Sequence, residues 1–141
     1  QLVKHKFLRW NEISRRYVDD DPEFYVPDEW RGRADDKKQG SEGIVKLGQL
    51  DERIVSDSPY EALCAYKALL KSGVAPEQAR MVLPQSTMTE WYWSGSLDAL
   101  ADMCKLRCEP DTQAETQEVA WAISLKMEDL FPVSWVALRD E

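Results

Sequence analysis

Three punctuating residues, Gly73, Pro84 and Pro110, divide the second half of this 141-residue chain into blocks of different character. Ser58-Pro59-Tyr60-Glu61 reads as a helix start, with a capping serine, a proline in the first turn and a glutamate three residues past the cap. Tyr60, Leu63, Cys64 and Leu70 supply its apolar stripe, and Gly73 stops it. A short helix is predicted from Pro76 to Val82, ended by Pro84. Residues 85–93, with Thr87, Thr89, Trp91, Tyr92 and Trp93, suit a strand. Ser96 then caps a helix running to about Arg107, with Leu97, Leu100, Ala101 and Cys104 facing inward, and Pro110 breaks it. The last long helix spans roughly Thr112 to Leu130, with Val119, Ile123, Met127 and Leu130 on one side. Helices and strand in this order, without alternating βαβ units, argue for an α+β domain.

The first half is less regular. Residues 1–6 read as the end of a helix, 7–16 as a functional loop and 17–26 as extended chain around the turn signal Asp19–Pro22. From Arg31 to about Gln49 the chain is polar and reads as a long surface loop. By length, residues 1–141 form one domain with a real core. A formal charge of -8 argues against general nucleic-acid binding, and no apolar run reaches the length of a membrane span. Three cysteines do not make a disulfide framework, so a reducing cytoplasm is expected. Cys104 and Cys108 lie four apart on a predicted helix. With a single histidine and no further ligands at metal spacing, they read as buried thiols, and no metal is expected.

Against this acidic background the segment from Lys4 to Tyr17 stands out, with five Lys/Arg and one acid in fourteen residues. It opens Lys4-His5-Lys6, and seven residues later comes Ser14, followed by Arg15-Arg16-Tyr17. A cationic patch on an acidic molecule suits a small anion better than a long polyanion. Asn11, Glu12 and Ser14 add donors and acceptors for a polar ligand. Read from composition alone, the same stretch is a solvated basic face.

The segment resembles the signature of the flavin-dependent thymidylate synthases, which is Arg-His-Arg, seven residues, then Ser. Three further blocks resemble the family in order and at compatible spacing. These are Phe24-Tyr25-Val26-Pro27 with Trp30-Arg31; Gly73-Val74 with Glu77, Ala79-Arg80-Met81-Val82-Leu83-Pro84 and Thr89; and Leu106-Arg107 with Gln113 and Glu115. The resemblance implies an α+β fold with mixed helices and antiparallel sheet. Because the chain opens inside the motif, it is expected to be the C-terminal portion of a longer catalytic domain. It further implies a methyltransferase of the cytoplasm, acting as a homotetramer with active sites shared between subunits. The implied reaction converts 2′-deoxyuridine 5′-monophosphate (dUMP) to thymidylate, with methylenetetrahydrofolate as carbon donor, NADPH as reductant and FAD as hydride carrier.

Residue by residue, the resemblance implies that Gln1, Glu12, Ile13, Ser14, Arg15, Arg16, Arg80 and Arg107 bind dUMP. Arg16 and Arg80 take the phosphate positions, where a planar fork can donate two parallel hydrogen bonds. Arg107 takes the position that meets the pyrimidine, and with Glu12 it is the candidate catalytic residue. Lys4, His5, Lys6, Asn11, Glu12, Asp102 and Arg107 match positions around FAD. Ser14 invites a nucleophile reading, but no general-base dyad is evident, so it reads as a binding residue. Taken singly, Arg80 and Arg107 also read as helix-end cations. Lysine replaces arginine at both outer positions of the triplet, which keeps the charge but not the bidentate geometry. Ser96, Asp98, Asp102 and Asp111 stand where the family has Asn, Arg, Asn and His. The dUMP set is therefore better kept than the FAD set, and the alternatives are a nucleotide-binding relative that has lost FAD and an interaction protein with a basic loop.

Overall fold

A computed structural model describes residues 1–14, 20–35 and 40–139. It is mixed α and β, with four short strands and five helices among the described residues. The chain divides into two compact units.

The first unit comprises Gln1–Asn11, Arg31–Gly43 and Tyr92–Glu141. Its helices are α3 (Leu97–Arg107), α4 (Ala114–Leu130) and α5 (Pro132–Arg139). They pack around Met103, Cys104, Ala101, Ala120 and Trp135, all of them buried, and Leu8 closes the cluster from the N-terminal segment. Small residues at Ala99, Ala101 and Ala120 let the helix backbones approach closely, and Met103 fills the remaining space. Full burial of a side chain such as Met103 contributes roughly 1.5–3 kcal/mol. Trp135 brings an indole N–H into this core and satisfies it on Ser124 Oγ at 3.3 Å. Between strand and helix, Gly95 lies against Leu8 so closely that a Cβ would collide with the leucine methyl.

The predicted inward face of α3 is observed: Ala101 and Cys104 are buried and Leu97 and Leu100 are packed against the cluster. Pro110 follows its end as expected, and Gln117 Nε2 caps the exit by donating to the carbonyls of Cys108 and Glu109 at 3.2 and 2.9 Å. Ser96 occupies the N-cap position, but its side chain does not bond the helix N–H groups. The face of α4 is as expected at Ile123 and Met127, which pack against the core, and differs elsewhere. Thr116, Ala120 and Ser124 are buried, whereas Val119 and Leu130 are exposed, because α3 and α5 require a narrow strip rather than a bulky one. Helix α5 was not anticipated at all.

The second unit comprises Glu12–Trp30 and Ile44–Trp91. Its main element is α1 (Gln49–Lys71), followed by α2 (Pro76–Ala79) and a 3₁₀ turn, Arg80–Val82. Tyr66 and Ala79 are its buried apolar residues. Helix α1 begins nine residues before the predicted start at Ser58. Gly48 is its N-cap, and Asp51 accepts from the Gly48 N–H at 3.4 Å. Ser58 instead sits inside the helix, its hydroxyl donating back to the Ile54 carbonyl at 2.6 Å. Pro59 is thus an interior proline. It cannot donate to the carbonyl of Val55, and the helix continues past that missing bond. At the other end Gly73 stops the helix as predicted. Its φ of +83° lets Gly73 N–H reach the Leu70 carbonyl and Val74 N–H the Leu69 carbonyl, both at 3.0 Å, a Schellman closure.

The strands lie largely where loops were expected. β1 (Arg9–Glu12) falls in the predicted functional loop and pairs with β4 (Trp91–Ser94). β2 (Trp30–Gly32) pairs with β3 (Glu42–Val45), inside the predicted surface loop. β1 and β3 are exposed along their length, so neither carries an alternating pattern that a sequence reading can detect. The predicted strand over 85–93 resolves into an isolated antiparallel bridge, Phe24 to Thr87, and then β4. Residues 1–6 hold one short 3₁₀ turn, Leu2–Lys4.

Candidate functional site

The candidate residues fall into one set in each unit. In the first unit, the 3₁₀ turn carries Lys4 and delivers His5 just beyond its end. Lys4 and Lys6 are exposed and His5 is half-buried. Arg107, in the last turn of α3, points its guanidinium at this turn, and its Nε donates to His5 Nε2 at 3.0 Å. A histidine accepting at Nε2 is neutral with its proton on Nδ1. Its environment favours that state: burial and then the Arg107 charge push the imidazole below its ordinary 6.5, while Asp102 opposes them. Asp102 is exposed on α3 five residues before Arg107.

Gln1 is anchored in the same unit, its Oε1 accepting from the Gln113 N–H at 3.3 Å. Glu115 near the start of α4 holds Arg31 in a short ion pair, and Arg31 Nε also donates to Ser41 Oγ at 2.9 Å. Burial, the largest single influence, acts to raise the Glu115 carboxyl, but the Arg31 hydrogen bond, the residue's own backbone N–H and the Arg31 charge together keep the group below its usual range. Arg31 and Glu115 belong to two of the blocks that resemble the family, and here they form a structural tie.

In the second unit, Glu12 ends β1 with an exposed carboxylate that accepts from Thr89 Oγ1 at 2.5 Å. Ile13 N–H donates to the Glu90 carbonyl at 2.8 Å, which holds the two segments side by side. Ser14 is half-buried. Arg80 opens the 3₁₀ turn after α2 and is exposed. Arg15 and Arg16 lie outside the described residues. Asn11, in β1, belongs to the first unit and is exposed. Sequence reading placed Thr89 in a family-like block but assigned it no role. Its partnership with Glu12 spans 77 positions, and no local spacing signals it.

A separate cavity of about 600 Å³ lies within the second unit, lined by Val26, Trp30, Ile44, Leu47 and Val55 with the carboxylate of Glu52. None of the candidate residues lines it. Among the described residues, no group of three His, Cys, Asp or Glu side chains is gathered as a metal site. No described helix is long and apolar enough to cross a membrane. Cys104 and Cys108 are buried free thiols, as the sequence reading anticipated. The donor set of the first unit fits an anionic dinucleotide: Lys4, Lys6 and Arg107 supply positive charge around a neutral imidazole, with Asp102 the opposing acid.

Comparison with known proteins bears out the family resemblance of the chain as a whole. The chain is 40% identical to the flavin-dependent thymidylate synthase of Thermus thermophilus over 99% of its own length and 52% of that protein's. It is 34% identical to the flavin-dependent thymidylate synthase of Kosmotoga olearia, covering 97% of this chain and 60% of the relative. The chain therefore spans about half the length of the curated relatives it matches. Among solved structures, it resembles the UMP/dUMP methylase PolB from Streptomyces cacaoi bound with 5-Br dUMP. There the TM-score is 0.78 at 29% identity, covering 96% of this chain and 63% of that one. The same methylase bound with 5-Br UMP gives a TM-score of 0.74 at 30% identity, covering 99% and 67%. The mixed α+β fold expected from the sequence is the fold of these relatives. The sequence model of the thymidylate synthase complementing protein family matches residues 1–133, almost the whole chain, and the chain belongs to that family.

Proposed function

We propose that this chain is the C-terminal portion of a flavin-dependent thymidylate synthase catalytic domain, methylating dUMP to thymidylate as a homotetramer in the cytoplasm. The carbon comes from methylenetetrahydrofolate, the reducing electrons come from NADPH, and the proton on the uracil carbon that gains the methyl is lost. Bound FAD would supply hydride chemistry, held by Lys4, His5, Lys6, Asn11, Glu12, Asp102 and Arg107.

The chain's own residues bind and orient. Arg16 and Arg80 take the phosphate, with Gln1, Ser14, Arg15 and Ile13 beside the nucleotide. Glu12 orients it through a carboxylate that Thr89 holds in place. Arg107 opposes negative charge developing on the activated uracil. The observation that carries this reading is the setting of Arg107: a half-buried, permanently charged fork, bonded at Nε to a neutral histidine. A cation placed in advance where charge develops is what electrostatic stabilisation requires.

A second reading, a nucleotide-binding relative that has lost FAD, is favoured by the exposed Asp102 carboxylate close to His5. The deciding experiment purifies the full-length protein and measures bound flavin absorbance, dUMP affinity, and dUMP-dependent NADPH oxidation and thymidylate formation with methylenetetrahydrofolate. Flavin and turnover together establish the synthase. Tight dUMP binding without flavin establishes the second reading, and indifference to both sinks the two.

A further inference from the structure

We propose that His5 is a positioning residue for Arg107: by accepting at Nε2 from Nε of the guanidinium, it fixes the plane of the fork and leaves the four Nη hydrogens for the nucleobase. The inference rests on the proposed function for what Arg107 meets, but the pairing itself rests on geometry. The contact joins the N-terminal 3₁₀ turn to the end of α3 at 3.0 Å, between two half-buried side chains 102 positions apart.

A guanidinium carries five N–H donors, and Nε has one of them. Using that single hydrogen as the anchor constrains rotation about the last side-chain bonds without consuming the paired Nη hydrogens that make bidentate contacts. An Asp or Glu in the place of His5 would hold the fork more strongly, but it would also neutralise the charge that is to face the substrate. A neutral imidazole orients the cation and leaves its charge intact.

The anchor holds only while His5 is neutral, because a protonated imidazole has no acceptor at Nε2 and repels the guanidinium. The charged groups facing His5 are Arg107 and Asp102, with Lys4 and Lys6 beside it in the chain. Since the folded imidazole titrates below 6.5, the contact is intact at and above neutrality and is lost as pH falls through that lowered value.

The test uses the full-length protein as wild type, His5→Gln and His5→Leu. Glutamine can place an amide oxygen near the Nε2 position and does not titrate; leucine has no acceptor. dUMP affinity is measured calorimetrically between pH 8 and pH 5.5. At pH 8, His5→Gln should bind within about threefold of wild type, and His5→Leu about three- to tenfold more weakly, because an unheld fork must be ordered on binding. As pH falls through the His5 midpoint, located by NMR titration of its ring, the wild type should weaken more than His5→Gln. Titration of the nucleotide phosphate itself is common to both proteins and cancels in that ratio. Equal pH dependence in wild type and His5→Gln, or full affinity in His5→Leu, overturns the proposal.

If no form binds dUMP at any pH, the proposed function fails, and NMR titration of the His5 ring still decides the pairing. Arg107→Gln should move the His5 midpoint up toward 6.5, and an unmoved midpoint overturns the inference.

Discussion

The Thr89 hydroxyl donates to the Glu12 carboxylate at 2.5 Å, joining residues 77 positions apart in the chain. The meeting is made by backbone: Ile13 N–H on the Glu90 carbonyl carries the β1–β4 pairing one step past the strands. Thr89→Val keeps the shape and removes the donor. If Glu12 must be held to meet the nucleotide, dUMP affinity falls about three- to tenfold, equivalent to ~0.5–1.5 kcal/mol, and Thr89→Ser restores most of it. Calorimetric titration checks this, and unchanged affinity in Thr89→Val would show that Glu12 needs no such partner.

Arg80 separates binding from folding. Its side chain is exposed, so Arg80→Ala should leave the thermal midpoint almost unmoved. Loss of a charge-assisted phosphate contact should weaken dUMP about ten- to a hundredfold, or ~1.5–3 kcal/mol. Titration of dUMP alongside a melting curve tests both halves, and intact affinity would remove Arg80 from the phosphate site.

For Arg107 the expected signature is kinetic. Arg107→Ala should lower the rate of the chemical step more than it lowers dUMP affinity, because the charge it opposes develops in the transition state. Arg107→Lys should recover part of the rate, since an ammonium supplies charge without the fork that His5 holds. Rapid mixing of reduced enzyme with dUMP and methylenetetrahydrofolate separates the two quantities. Loss confined to affinity would make Arg107 a plain binding residue.

The first unit's core gives two stability predictions. Met103 is fully buried, and Met103→Ala should cost ~2–5 kcal/mol through lost burial and the cavity left behind. Trp135→Phe removes the donor to Ser124 Oγ and leaves that buried hydroxyl short of a partner, at about 1–3 kcal/mol. Shifts in denaturant midpoint at constant slope would register both.

The thiols divide by burial. Burial, reinforced by Cys108, pushes the Cys104 thiol up to about 12 from an ordinary 9.0, whereas Cys64 is exposed. At pH 8 a thiol-specific disulfide reagent should modify Cys64 rapidly and Cys104 only on unfolding. The raised value also carries a stability term: it is fully present below pH 9, where the unfolded thiol is neutral too, and is lost as pH rises toward 12. Cys104→Ala should flatten that alkaline decline.

What the sequence alone determined were features set by neighbours along the chain. Gly73 ends α1 because only a few consecutive backbone groups and one positive φ are involved. The inward face of α3 and the stop near Pro110 follow from spacing and from a missing N–H, which are equally local. The candidate residues were legible as residue types in order, since a basic signature and its blocks need no coordinates to be read. Tertiary structure alone decided which residues meet. β1 and β3 are exposed and unpatterned, and they exist because a partner strand supplies their hydrogen bonds. Helix α1 runs through Ser58 and Pro59 although both carry start signals, because a start signal does not prevent an earlier beginning at Gly48. The buried strip of α4 is Thr116, Ala120 and Ser124 because the indole of Trp135 and the sulfur of Cys104 must be matched there, at Ser124 Oγ and at the Ala120 carbonyl. The His5–Arg107 bond belongs to the same class: side chains 102 positions apart become partners only when packing removes the water that would otherwise satisfy each of them.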